Sequence, residues 1–343
     1  MKALAFGEHG GLDRLRYQDV ADPKIGPRDV LVRVRAAALN HLDLFVREGL
    51  PGLTLPMPFW TGCDIAGDVA AIGAEVRDVA VGDRVAVNPN LYDGTCEFCL
   101  RGEHSLCVRY GILGEHTHGG LAEYVAVEGR HVVTLPAAVA YEDAAAFVLV
   151  NMTAWRMLVT RARLRAGEDL LILGVGGGVS STAVQIGKLC GARVWVTSSS
   201  DDKLARAREL GADATVNHAT DDVAARVKEL TDGGVHVVVE TVGADTWQTS
   251  LAVCRPAGRV CVCGATSGPN PPANLHRIWW KQLTVYGSTM GTNADFAAVF
   301  DLVKSGRIKP VVDAVFPLSE ARAAHERLEA GEQLGKIVLT IPG

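Results

Sequence analysis

The 343-residue chain is predicted to be α/β, a compact β-barrel-like domain joined to a doubly wound parallel sheet, on three observations. Residues up to about 130 are rich in short alternating strands, and from about Tyr141 helices begin to alternate with strands. Between Asp169 and Lys203 an apolar strand runs into a glycine-dense turn, a small-residue helix and a second strand. Length and an apolar content of 48% suffice for two cores, since a domain usually holds about 100 to 200 residues. A net charge of −5 with no Lys/Arg block gives no footprint for nucleic acid or an anionic membrane, so the expected partner is a small molecule.

In chain order, Met1 to Phe6 reads as a strand start without a charged leader. The most apolar helical stretch, Ala144 to Val159, is interrupted by Asn151, Thr153 and Arg156. Neither secretion nor a membrane span is expected, and the cytoplasm is the expected address. Val30–Arg35, Ile65–Ile72 and Val79–Val87, the last around the turn Val81-Gly82-Asp83, are strands of the first domain. In the second, Val194–Thr197, Val237–Glu240, Val260–Cys263 and Leu283–Tyr286 are strands separated by helices. Asp201 or Asp202 is expected to cap Lys203–Leu210, and Asp221 or Asp222 to cap Val223–Leu230. Ser267–Pro272 is a loop, and the tail from Ser319 to Ile341, a helix and a strand, is expected to pack back on the first domain.

The glycine turn carries the first chemical reading. Leu170–Leu173 form the strand, Gly174 to Ser180 the turn, and Thr182–Cys190 the helix. Backbone amides along Gly176, Gly177, Gly178, Val179 and Ser180 are placed to hold the pyrophosphate of a dinucleotide. The strand and helix on either side make this stronger evidence than a bare glycine motif.

Three of the eight cysteines crowd into one polar loop at metal spacing. Cys96, Cys99 and Cys107 supply thiolates, and Asp93 can supply a carboxylate oxygen as fourth ligand of a closed tetrahedral zinc site; His104 is the alternative fourth ligand. A closed site contributes folding energy rather than chemistry.

Taken with the glycine turn, the Cys-x2-Cys-x7-Cys lobe, Gly119-Gly120-Leu121-Ala122-Glu123-Tyr124 and Gly335-Lys336-Ile337-Val338-Leu339 resemble the medium-chain dehydrogenase/reductase superfamily over essentially the whole length. The resemblance implies a GroES-like catalytic domain, residues 1–130 with 290–343, and a Rossmann nucleotide-binding domain, residues 131–289. The family's lobe usually carries four cysteines, and Asp93 stands at the first place. Alcohol dehydrogenases of the family hold a second, catalytic zinc. At its ligand positions this chain has Asn40, in the turn Asn40-His41-Leu42-Asp43, then Cys63-Asp64, and Leu149. Only Cys63 and Asp64 remain as ligands, where an open site needs three. His41, His116 or His118 completing an unusual site with Cys63 is the alternative.

Without that Lewis acid, a conjugated acceptor is the better electrophile, because its charge spreads onto a distant oxygen that neutral donors can hold. The Asn-x2-Asp turn is similar to that of the zinc-independent quinone oxidoreductase and enoyl reductase branch. The expected function is NADPH-dependent hydride transfer to an enone, enoyl thioester or quinone, with one structural zinc. The expected catalytic residues are Asn40, Cys63, Tyr110 and Thr153, with Asn40 orienting substrate or ribose, Asp43 fixing its turn, and Tyr110, His41, His116 or water giving the proton. Two alternatives stand beside it: an alcohol or aldehyde dehydrogenase with an atypical metal site, and a nucleotide-binding protein without activity.

NADPH is preferred to NADH because the second strand ends Thr197-Ser198-Ser199-Ser200, without the acid that accepts a ribose diol. Related reductases gather a Ser or Gly, a Lys and a later aromatic at the 2′-phosphate, and the matching positions here are Ser199, Lys203 and His218. Val242 and Gly243, then Gly264, Ala265 and Thr266, then Ser288, Thr289 and Met290 follow later strand ends and match stretches that line the cofactor in the family. The strand Leu283–Tyr286 lies where the family commonly joins two sheets across a dimer, so the resemblance implies a homodimer, with a capped monomer as the alternative.

Overall fold

The computed structural model describes residues 1–342, which form two compact units. One is Met1–Leu149 together with the segment from Thr292 onward; the other is Val150–Gly291. The division falls within the helix Tyr141–Trp155, later than the expected residue 131. Strand Val132–Thr134 pairs with Arg84–Val87 and so belongs to the first unit.

The first unit is built on Asp29–Ala38, a ten-residue strand in which Val30, Val32 and Val34 are buried in alternation. It pairs antiparallel with Asp64–Ile72 and with Tyr124–Glu128, so its inward residues join one apolar core with Ile65, Val85 and Val125. The C-terminal strand Lys336–Thr340 adds antiparallel to Ala36–Ala38, which returns the tail to this unit. The expected strand Val79–Val87 is shorter: only Arg84–Val87 is extended. Residues 80–83 form a turn closed by Asp83 N–H to Ala80 O at 3.1 Å.

The second unit is a parallel sheet in the order Ala214–Asn217, Arg193–Ser198, Asp169–Ile172, Val235–Glu240, Cys254–Val262, Thr284–Gly287. Winding proceeds to one side of Asp169–Ile172 and then resumes on its other side. That reversal is the point at which open α/β sheets bind ligands, beyond the carboxyl ends of the strands. The helix after the first strand runs Gly178–Leu189 and so takes in residues expected to be turn. Gly187 lets it lie close to the sheet, because a Cβ there would stand 2.7 Å from Leu170 Cδ2 and 2.9 Å from Val194 Cγ2. Asp222 caps Val223–Leu230 as expected, but Ser200, not an aspartate, caps Asp201–Glu209 by accepting from Lys203 N–H. Among the described residues no helix is long and apolar enough to cross a membrane.

Candidate active site

The first strand of the second unit ends at Ile172, and Gly174 turns the chain with φ +69°. Val175 N–H to Thr197 O (2.9 Å) and Gly174 N–H to Thr197 Oγ1 (3.1 Å) tie this turn to the second strand. The helix begins at Gly178, so the first-turn amides of Gly178, Val179 and Ser180 have no acceptors within it. Beside them a Cβ on Gly177 would meet nothing within 4 Å. An anionic diphosphate fits that combination of open space and unpaired donors.

Ser198 ends the second strand, buried, and its Oγ accepts from Ser200 N–H at 3.2 Å. Ser199 is exposed, and His218, also exposed, is anchored by its N–H to Ser198 O at 3.0 Å. Lys203 lies one helical turn beyond. The acid nearest in sequence, Asp201, accepts from Asn217 Nδ2 at 2.8 Å.

At the next strand end the fully buried Glu240 carboxylate accepts from Val242 N–H (2.8 Å), Gly243 N–H (2.9 Å), Thr246 Oγ1 and Ser250 Oγ. Four donors thus pin the loop that follows. A second loop, through Gly264, Ala265 and Thr266, lies against it, with Ser267 N–H to Val242 O at 2.7 Å. Beyond the edge strand, Ser288 Oγ is buried without a partner, and Met290 adopts φ +48° with its sulfur 4.0 Å from Thr153 Oγ1. Thr153 therefore belongs with Met290 in the second unit, whereas Asn40, Cys63 and Tyr110 belong to the first.

The cysteine lobe brings its four residues together. One ligand atom from each of Asp93, Cys96, Cys99 and Cys107 lies within 4.8 Å of the others. The N–H groups of Cys96 and Thr95 hold the Asp93 carboxyl well below the usual carboxylate range, and those of Cys99 and Val108 lower the Cys96 thiol. Burial pushes Cys99 up to about 12, so metal entry must displace its proton. The donor set and its compactness fit one tetrahedral zinc. His104 is turned elsewhere, its Nδ1 accepting from Asn293 N–H at 3.4 Å and its ring 4.5 Å from Tyr92.

Asn40, Cys63 and Asp64 meet in a buried group. Asn40 Nδ2 donates to Asp64 Oδ2 (2.9 Å) and reaches Cys63 Sγ at 3.3 Å; Asp64 Oδ1 accepts from Leu149 N–H at 2.7 Å. Lys336 Nζ donates to Asn40 Oδ1 (2.5 Å), Asp64 Oδ2 (2.8 Å) and Leu39 O (2.6 Å). Burial, with the Asp64 and Asp43 carboxylates close by, holds the Cys63 thiol well above its usual range, so it keeps its proton at neutral pH. Asp43 fixes the turn, accepting from Asn40 N–H (2.7 Å) and Gly62 N–H (2.9 Å). The Gly119-Gly120 stretch crosses directly over Thr61-Gly62, and a Cβ on Gly119 would fall 2.4 Å from Gly62 O.

Two of the other expected donors, Tyr110 and His116, are engaged elsewhere, whereas His41 directly follows Asn40, its imidazole held below its usual range by burial and by the Lys336 ammonium. Tyr110 OH donates to Asn90 Oδ1 at 2.6 Å and packs on the cysteine lobe. His116 Nδ1 accepts from Ile112 N–H at 3.1 Å, and His118 stacks on Trp60 at 3.7 Å. Neither histidine joins Cys63 in a cluster of metal ligands among the described residues.

Comparison with known proteins gives this geometry a family. Residues 26–137 match the alcohol dehydrogenase GroES-like domain and residues 178–305 the zinc-binding dehydrogenase domain. A quinone oxidoreductase of Pseudomonas aeruginosa is 35% identical over 98% of this chain and 99% of its own. The chain belongs to the medium-chain dehydrogenase/reductase superfamily. It is an NAD(P)H-dependent oxidoreductase of GroES-like and Rossmann domains. This dehydrogenase/reductase is also 31% identical to an NAD-dependent alcohol dehydrogenase of Sulfolobus acidocaldarius, over 99% of this chain and 100% of that one. The solved structure of an NAD-dependent alcohol dehydrogenase, 41% identical, superposes with a TM-score of 0.96 and full coverage of both chains.

Two residues of the dehydrogenase/reductase site escaped the sequence reading, Lys336 and Glu240. The signal for Lys336 was a cation heading a run, Ile337-Val338-Leu339, whose every residue is buried. For Glu240 it was a lone acid closing the strand Val235–Glu240, which is otherwise almost wholly apolar.

Proposed function

We propose that this oxidoreductase transfers a hydride from NADPH to a conjugated acceptor, an enone, enoyl thioester or quinone, without a catalytic zinc. The carrying observation is the hydrogen-bonded closure of the Asn40, Cys63, Asp64 and Lys336 group. Asp64 already receives three donors, Cys63 holds its proton, and Asn40 offers an amide where a thiolate would be needed. That donor set is poor for a second zinc, which wants three deprotonated ligands. NADPH would supply the hydride when bound, and that hydride with one proton from solvent or a side chain would reduce the acceptor by two electrons, an enone or enoyl thioester to its saturated form and a quinone to its hydroquinone. A neutral amide and thiol suit an enolate better than a localised alkoxide.

Preference for the 2′-phosphate rests on the strand end at Ser198 and Ser199, on Lys203 beyond it, and on Asp201 being engaged by Asn217. A second reading, alcohol oxidation with NAD, is favoured by the relatives named as NAD-dependent alcohol dehydrogenases.

The expected assembly is a homodimer through the edge strand Thr284–Gly287. Beside it the helix Leu275–Trp280 leaves Leu275, Trp279 and Trp280 largely exposed, an apolar surface suited to burial against a second copy.

Oxidation of NADPH and NADH, followed at 340 nm over cyclohexenone, crotonyl thioester, naphthoquinone and aldehydes, tests the reading together with zinc content. Turnover of conjugated acceptors with about one zinc per chain is expected. Two zincs with chelator-sensitive alcohol oxidation would overturn it, and no turnover of any substrate would favour a nucleotide-binding protein without activity.

A further inference from the structure

Lys336 opens a buried strand and is itself only 3% exposed. A lysine this deep must find an oxygen for each of its three N–H groups. It finds Leu39 O, Asn40 Oδ1 and Asp64 Oδ2, all within 2.8 Å. The Asp64 carboxylate, with no exposure at all, is its ion-pair partner. An amide side chain has an oxygen end and a nitrogen end, and an ammonium, having no acceptor, can bind only the oxygen. Lys336 thereby decides which way Asn40 faces. The nitrogen end is left to meet Asp64 and Cys63 Sγ, and the thiol, which receives that N–H, keeps its own S–H as a donor.

We propose that Lys336 is a positioning residue for the reduction, holding the Asn40 amide in one orientation and so fixing the hydrogen-bonding state in which Asn40 and Cys63 meet the acceptor. This inference rests on the reductase reading above. It goes beyond it by giving a residue nearly three hundred positions from Asn40 control over the amide.

The test is a coupling measurement on the zinc-loaded enzyme with NADPH and cyclohexenone. Lys336→Met and Asn40→Ala are each expected to lower kcat about ten-fold or more, with the NADPH Kd within about two-fold of wild type. Because Lys336 acts through Asn40, the double variant is expected to be no slower than Asn40→Ala alone. Lys336→Met strands a buried carboxylate and endangers folding, so Lys336→Met/Asp64→Asn, which removes both charges, is expected to fold and to show the same loss. Lys336→Arg, which keeps the charge, should recover part of kcat. Losses that multiply, or a charge-free variant with wild-type kcat, would overturn the proposal. If the wild type ignores conjugated acceptors but oxidises alcohols, the reductase reading fails by itself, and the same coupling is then read on alcohol turnover.

Discussion

A nucleotide with a 2′-phosphate and one without differ by about two charges at the end of the second strand, so single side chains there carry weight. Ser199 is exposed at that end, and the nearest carboxylate is engaged by Asn217. Ser199→Asp is expected to raise the KM for NADPH by about ten-fold, roughly 1.4 kcal/mol of like-charge repulsion, while leaving that for NADH little changed. Equal kcat/KM for the two coenzymes in the wild type would remove the basis of this expectation. In the other unit, His325 is 1% exposed and neither ring nitrogen has a partner. Burial, helped by Arg47, depresses it from the usual 6.5 to about 3. Since the unfolded chain takes up the proton first, stability is full above pH 6.5 and is lost as pH falls from 6.5 towards 3. Between pH 6.5 and 4.5 the loss should be about 2 to 3 kcal/mol. Urea titrations at both pH values should show a smaller loss for His325→Leu; an identical pH dependence in that variant would exclude His325 as the cause. Residues at motif spacing, such as Asp93, Cys96, Cys99 and Cys107, were legible in the sequence because their neighbours lie a few positions away. The pairing of Lys336 with Asp64 was not, because it spans 272 positions and depends on one strand returning beside another.

Among the elements, the nucleotide-binding helix shows where a motif misleads and where it informs. Glycine density announced the turn, yet the helix starts inside it at Gly178, and Gly187, well beyond the turn, also lies tight against the sheet. Gly187→Val is expected to cost about 2 kcal/mol through overpacking against Leu170 and Val194, measured as a lower urea midpoint at unchanged slope. No loss would mean that the helix can shift outward freely. Ala214–Asn217 escaped the pattern reading because an edge strand needs little apolar content, and the alternation of Ala-Thr-Val-Asn runs over only four residues, too short to separate a strand from a loop. The cap of Asp201–Glu209 was misassigned among adjacent serine and aspartates, all good caps, where only backbone geometry separates Ser200 from its neighbours. In the metal lobe, Asp93 is the weakest donor for a thiolate-preferring ion. Asp93→Cys should slow zinc release to EDTA, and Asp93→Ala should lose zinc and lower Tm while leaving kcat nearly unchanged. A large fall in kcat at full folding would show that the lobe serves the chemistry directly.

For the whole molecule, the two-domain order was legible because the change from alternating strands to alternating helix and strand is a change of period. The point of division was not, since the helix Tyr141–Trp155 runs through it without a break in pattern. The proposed dimer would rest on the exposed Trp279 and Trp280 and the edge strand that follows them, whose exposure only the fold reveals. Trp280→Glu is expected to halve the mass seen by light scattering, and a wild-type monomer would rule the interface out. The edge itself limits growth. Thr284–Gly287 closes one side of a sheet whose strands all point one way, so two copies related by a two-fold axis would pair there antiparallel, strand against reversed strand. A pair joined in this way would leave that side without unsatisfied backbone to recruit a third copy, so growth there would end at two.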